Sequence, residues 1–100
     1  MNGKTMTHEE ITLIVKPIAK RYKIQAVYLF GSYARNEATA ESDLDFLVYG
    51  GEHFKPTRIF AFGEELRKAL NKKVDVFEIR EVNIDSEFYQ NIMKDRVLVA

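Results

Sequence analysis

The sequence predicts an α/β (α+β) fold, a small mixed sheet of about three to four strands packed with about four helices. Three observations carry this. Short apolar runs rich in strand formers, at residues 26–30, 44–49 and 74–79, alternate with longer segments whose apolar residues recur at helical spacing. Glycines punctuate the strand ends: Gly31 follows the first run, and Gly50 and Gly51 follow the second. The 100 residues, 46% apolar and 12% aromatic, can bury one modest core, so residues 1–100 are expected to form a single domain.

The elements follow in order. Residues 1–6 are expected to be a mobile N-terminus. Thr7 and Glu10 form the T-x-x-E pattern of a capping box, with Ile11, Ile14, Val15, Ile18 and Tyr22 at helical spacing behind it, so a helix is expected over residues 7–22. Pro17 inside that run lacks an amide donor and crowds the preceding turn, which predicts a kink or an early end. Residues 26–30 read as a buried strand feeding a tight turn at Gly31; residues 32–35 open a short helix, and residues 36–42 form a polar loop. Leu44 begins a second strand. Pro56 suits the first position of a third helix, whose stripe of Ile59, Phe62, Leu66 and Leu70 runs to Asn71. Residues 74–79 form a third strand. Asp85 is placed to cap a last helix carrying Phe88 and Ile92, and residues 97–99 add a short edge strand. The aromatic residues Tyr28, Phe30, Phe46, Phe60, Phe62, Phe77 and Phe88 are expected mostly in the core, Tyr33 at a pocket or interface, and His8 and His53 in solvent.

Composition removes several function classes. Fifteen basic and fifteen acidic side chains cancel to zero net charge, which leaves no electrostatic footprint for general DNA or RNA binding. With no cysteine there is neither a disulfide framework nor a thiolate metal site. The N-terminal residues run into Lys4, His8, Glu9 and Glu10 without an apolar leader, and no stretch approaches the roughly 18 apolar residues that span a bilayer, so a soluble, cytoplasmic protein without membrane contact is expected.

Chemistry concentrates in Gly31-Ser32, in Asp43-x-Asp45 and in Asp75, which interrupts an apolar strand. Side chains at i and i+2 of a strand share a face, which places the Cα atoms of Asp43 and Asp45 only about 7 Å apart. Such close carboxylates repel, and the arrangement is favourable mainly around a divalent cation. Oxygen ligands without nearby His or Cys select Mg²⁺, or Mn²⁺, and Mg²⁺ completes its shell with water and phosphates. That points to a nucleotide. Gly31 lets the backbone approach closely, Ser32 adds a hydroxyl, and Arg35, one turn further, is a candidate for reaching the same triphosphate. A lone D-x-D would read as exposed strand-entrance aspartates; the Gly-Ser at fixed distance and the later Val74-Asp75-Val76 reverse that reading. Asp75 could also be an edge-strand aspartate facing solvent, and Arg35 a surface residue paired with Glu37.

The stretches Phe30-Gly31-Ser32-Tyr33-Ala34-Arg35 and Ser42-Asp43-Leu44-Asp45-Phe46-Leu47-Val48 closely resemble the signature of the DNA polymerase β-like nucleotidyltransferase superfamily. In its short length the chain is similar to the minimal nucleotidyltransferases (MNT), which pair with HEPN-domain partners in prokaryotic toxin–antitoxin operons. The resemblance implies a nucleotidyltransferase fold, binding of the triphosphate of ATP or another nucleoside triphosphate by Gly31 and Ser32, and two Mg²⁺ ions held by Asp43, Asp45 and Asp75. It also implies that Asp75 assists deprotonation of the acceptor. Where the family commonly has glycine after the arginine, this chain has Asn36, which tolerates a left-handed backbone better than most residues.

The expected activity is transfer of AMP, or another nucleoside monophosphate, to an acceptor hydroxyl, with a tyrosine of a HEPN toxin as the acceptor that the resemblance implies. An aminoglycoside-type small-molecule acceptor is the alternative, disfavoured because no residues are left to build its pocket. A non-catalytic antitoxin that covers its partner is the third reading, against which the full set of aspartates counts. Assembly as a homo- or hetero-oligomer stays open.

Overall fold

The computed structural model describes residues 5–100, so the N-terminal expectation falls largely outside the described residues; within it, Met6 packs against the core. The chain runs α1 (His8–Arg21), β1 (Ala26–Phe30), α2 (Gly31–Ala34), β2 (Leu44–Tyr49), α3 (Arg58–Leu70), β3 (Val74–Glu78), a 3₁₀ turn (Ile79–Glu81), α4 (Glu87–Asp95) and β4 (Val97–Leu98). This is the expected mixed sheet with four helices.

The four strands are ordered β3-β2-β1-β4, with β2 and β3 parallel and the other two pairs antiparallel. Strand alternation sorts the side chains into two layers. Val27 and Leu29 of β1, Leu44, Phe46 and Val48 of β2, and Val74 of β3 face the main core, which α1 covers with Ile11, Val15 and Ile18 and α3 covers with Phe62, Leu66 and Leu70. On the opposite face, Phe30 and Leu47 are buried beneath Ile92 of α4, with Tyr28, Tyr49 and Phe77 partly covered. A single nine-residue helix shields this second face less completely than α1 and α3 shield the first, and the aspartates emerge there.

The α1 capping box forms as expected, Thr7 Oγ1 accepting from the Glu10 amide and Glu10 Oε1 from the Thr7 amide. Pro17 does not end the helix, which continues to Arg21. Pro17 is on the exposed side, and the carbonyl deprived of its donor belongs to Leu13, also exposed, where water can bond it. The third helix starts at Arg58 rather than Pro56: Pro56 and Thr57 form the entering turn, whose carbonyls accept from the Ile59 and Phe60 amides. It ends on Asn71 in the left-handed conformation, φ 54°.

The last helix is capped by Ser86, not Asp85. Ser86 Oγ accepts from the Tyr89 amide at 3.1 Å, while the Asp85 amide is drawn into a turn on Asn83 Oδ1. Phe60 is also not a core residue. It is 77% exposed, one position off the Ile59–Phe62–Leu66 stripe, on the outer side of α3. Glu78 is 1% exposed and is held by Arg80, whose guanidinium also donates to the Phe54 carbonyl, fixing the loop after β2 against the end of β3.

Candidate active site

Sheet register brings the site together. Phe30 pairs with Asp45 across β1 and β2, and Asp45 pairs with Asp75 across β2 and β3. Residues distant in sequence thus lie side by side at one level of the sheet, about 4.8 Å between neighbouring strands. Asp45 and Asp75 share the face of Leu47 and Phe77, toward α4. Asp43, one residue before β2, is exposed, as is Asp75 on the edge strand; Asp45, on a strand flanked on both sides, is half-buried between them.

That position sets its ionisation. Burial first, then the charges of Asp75 and Asp43, push the Asp45 carboxyl from an ordinary 3.8 up to about 6, against a smaller opposing pull from Arg35. Gly31 adjoins the same carboxylate: at φ +75° its backbone is in the left-handed region, and a Cβ there would lie 2.5 Å from Asp45 Oδ2. The glycine is required twice, by the turn and by the proximity of the carboxylate. Ser32 follows at the start of α2, partly exposed. Asn36 adopts φ 58°, the left-handed conformation its identity allows in place of glycine.

Among the described residues no group of three His, Cys, Asp or Glu side chains is arranged ready to hold a metal ion. The donor set nevertheless fits Mg²⁺, which is bound through one or two carboxylates together with substrate phosphates rather than in an all-protein cage. Burial first, and then the neighbouring charges of Asp75 and Asp43, raise the Asp45 pKa, and a cation would offset both.

Arg35 lies at the C-terminal end of α2, close enough to Asp45 to oppose its pKa rise, but its guanidinium is engaged by Glu37 at 2.9 Å and Asp95 at 2.8 Å. These carboxylates hold its own pKa above the ordinary arginine value. The expected surface pair with Glu37 forms, and Asp95, from α4, is the partner that sequence spacing does not reveal.

Tyr33 does not line the cleft beside Gly31 but borders a separate cavity of about 370 Å³ with Thr7, His8 and Asn36. Its side chain is 2% exposed, its hydroxyl has no hydrogen-bond partner among the described residues, and its carbonyl accepts from His8 Nε2 at 2.6 Å, so His8 is not simply solvated. In a four-residue helix lying on the sheet, the side chain two after Gly31 turns inward.

A cleft of about 160 Å³ opens between α2 and α4, bounded by Phe30, Gly31, Arg35, Phe88, Asn91 and Asp95. The sequence reading placed Phe88 among the core aromatics and did not single out Asn91, yet both line this cleft. Phe88 was legible only as part of an apolar helical stripe, and nothing in the stripe distinguishes its partly open ring from a buried one. A larger cavity, about 520 Å³, lies at the other end of the sheet against Tyr22, Gly50, Phe54 and Arg58, away from every predicted site residue.

Known proteins share the family and the fold. The family model described as polymerase β, nucleotidyltransferase, matches residues 14–100. A Methanocaldococcus jannaschii protein provisionally named a protein adenylyltransferase is 33% identical over 93 residues, 93% of this chain and 92% of that one. The protein adenylyltransferase MntA of Thermococcus cleftensis is 29% identical over 98 residues, covering 94% and 97%. Among solved structures, one provisionally described as a minimal nucleotidyltransferase aligns with a TM-score of 0.76 at 25% identity, covering 94% of this chain and 97% of its own. A Shewanella oneidensis complex, described as a tri-AMPylated HEPN toxin with MNT antitoxin, shares the fold at TM-score 0.71 and 19% identity, covering 94% and 72%. Because the family match takes in the Gly31 turn and all three aspartates, and the archaeal similarity runs nearly the full length of both partners, this chain belongs to the polymerase β nucleotidyltransferase family.

Proposed function

We propose that the protein is a Mg²⁺-dependent adenylyltransferase that moves AMP from ATP to a tyrosine hydroxyl of a HEPN-domain toxin in the cytoplasm, and thereby acts as an antitoxin. The observation that carries this reading is the alignment of Gly31, Asp45 and Asp75 on three adjacent strand ends, with Asp43 beside them. The names of the archaeal relatives and the toxin–antitoxin complexes that share the fold support the choice of acceptor.

In this reading Gly31 and Ser32 take the triphosphate, the glycine because only a bare backbone fits beside Asp45. Asp43, Asp45 and Asp75 would hold two Mg²⁺ ions, which when bound supply charge neutralisation on the phosphates and acidify the acceptor hydroxyl. Asp45 acts as carboxylate and is centred between the other two. Asp75, exposed on the edge strand, is open to an acceptor arriving from outside the domain and takes its proton. The acceptor oxygen bonds to the α-phosphorus, the bond from that phosphorus to the bridging oxygen breaks, and pyrophosphate leaves. Adding AMP to the toxin places negative charge and bulk where RNA phosphate has to bind, and like-charge repulsion opposes that binding.

Coexpression with the cognate toxin followed by mass spectrometry tests the proposal. Wild-type protein is expected to add AMP mass to a toxin tyrosine and to rescue growth, and a folded Asp43→Ala/Asp45→Ala double variant to do neither. Full rescue by the double variant would reject enzymatic neutralisation in favour of simple occlusion.

A further inference from the structure

The cleft between α2 and α4 offers more than a boundary to the phosphate end of the site. Phe88 is 44% exposed although its ring packs edge-on against Phe30, centroids 5.8 Å apart, and Phe77, 5.4 Å apart. Those two rings are anchored on β1 and β3, so Phe88 is held in place with part of its surface open. Phe30 pairs in register with Asp45, and Phe77 lies two residues beyond Asp75, about 7 Å along the same face. The open ring therefore lies next to the aspartates on their own side of the sheet. Asn91 is exposed and follows Phe88 by three positions, so both project into one cleft with Gly31. Its carboxamide offers a donor and an acceptor side by side. Asp95, further along the same edge, is occupied by Arg35 and does not compete for the role.

An aromatic surface fixed by its neighbours and an adjacent paired donor and acceptor are what a nucleobase requires: a partner for its π-face and one for its polar edge. We infer that Phe88 stacks against the base of the nucleoside triphosphate and that Asn91 reads its edge, selecting adenine through the adjacent amino donor and ring-nitrogen acceptor. This rests on the triphosphate site proposed above and adds to it the determinant of base choice. The phosphates occupy the Gly31 end of the cleft and the base the Phe88 end.

Equilibrium binding in Mg²⁺, with ATP, GTP and inorganic tripolyphosphate as probes, separates the two ends. Phe88→Leu keeps an apolar contact with Phe30 and Phe77 but removes the π-surface. It is expected to weaken ATP roughly tenfold while leaving tripolyphosphate within about twofold, and Phe88→Ala to weaken ATP at least as much. Asn91→Ala, at an exposed position, is expected to lower the preference for ATP over GTP roughly tenfold. Unchanged ATP affinity in a folded Phe88→Leu protein, or parallel loss of ATP and tripolyphosphate, would overturn the inference. Wild-type protein that binds tripolyphosphate as tightly as ATP would overturn the base subsite and leave the phosphate site standing; wild-type protein that binds neither overturns both.

Discussion

Asp45→Asn separates the electrostatic cost of the site from its chemistry. The folded chain keeps a proton on Asp45 up to about pH 6, whereas the unfolded chain loses it near 3.8. Within that window the folded state binds more protons, so stability without nucleotide falls as pH rises, then levels off above the folded pKa. A rise of about two units at ~1.4 kcal/mol each sets a ceiling of about 3 kcal/mol. Partial access of the carboxylate to water lowers the expected figure to about 1–2 kcal/mol. Asparagine preserves the shape and removes the charge. At about pH 7.5 the variant should melt roughly 5–10 °C above wild type, and much of the decline between pH 4 and 6 should vanish. Adding Mg²⁺ and ATP should raise the wild-type melting temperature by binding only the folded state and leave Asp45→Asn nearly unmoved, with nucleotide transfer abolished. Thermal melts across pH, with and without Mg²⁺–ATP, read all three effects. An Asp45→Asn protein less stable than wild type at neutral pH would show a structural aspartate and refute the reasoning, as would retained transfer.

Gly31→Ala puts a methyl 2.5 Å from Asp45 Oδ2 at φ +75°, so it should lose nucleotide binding in calorimetry and also destabilise the fold by about 1–2 kcal/mol; wild-type affinity would contradict the close approach. Ser86→Ala should cost about 1 kcal/mol in urea denaturation and Asp85→Ala distinctly less, and the reverse order would restore Asp85 as the cap. At Asn36, φ 58°, replacement by glycine should be neutral or slightly stabilising and replacement by valine should cost about 1–2 kcal/mol, with equal effects excluding a left-handed requirement.

The errors have a common form. Asp85 and Ser86 are both good cap residues, and only the path of the chain from Asn83 decides which hydroxyl or carboxylate meets the Tyr89 amide. Phe60 and Phe62 are equally apolar, and the facing of α3 on the sheet puts one at 77% exposure and the other at none. Pro17 was legible as a disruption, but whether it stops a helix depends on which side faces water. Tyr33, beside a glycine turn, reads as a site residue until α2 lies down on the sheet and buries it.

Local chemistry and periodicity are written in the sequence, and they determined the strands and helices, the Thr7–Glu10 box, the turn at Gly31, the left-handed tolerance of Asn36 and the candidate role of the aspartates. These depend on residues within a few positions of one another, or on a motif whose spacing carries its own geometry. Long-range register belongs to the tertiary structure alone. The pairing of β2 with β3 brought Asp75 level with Asp45 on the thinly covered face, where burial and then the Asp75 charge raise the Asp45 pKa. The docking of α4 gave Arg35 its partner Asp95 and left Phe88 open beside the site. Pair distances across a sheet and the exposure of one ring among several depend on how distant segments pack, and no pattern along the chain encodes that separately.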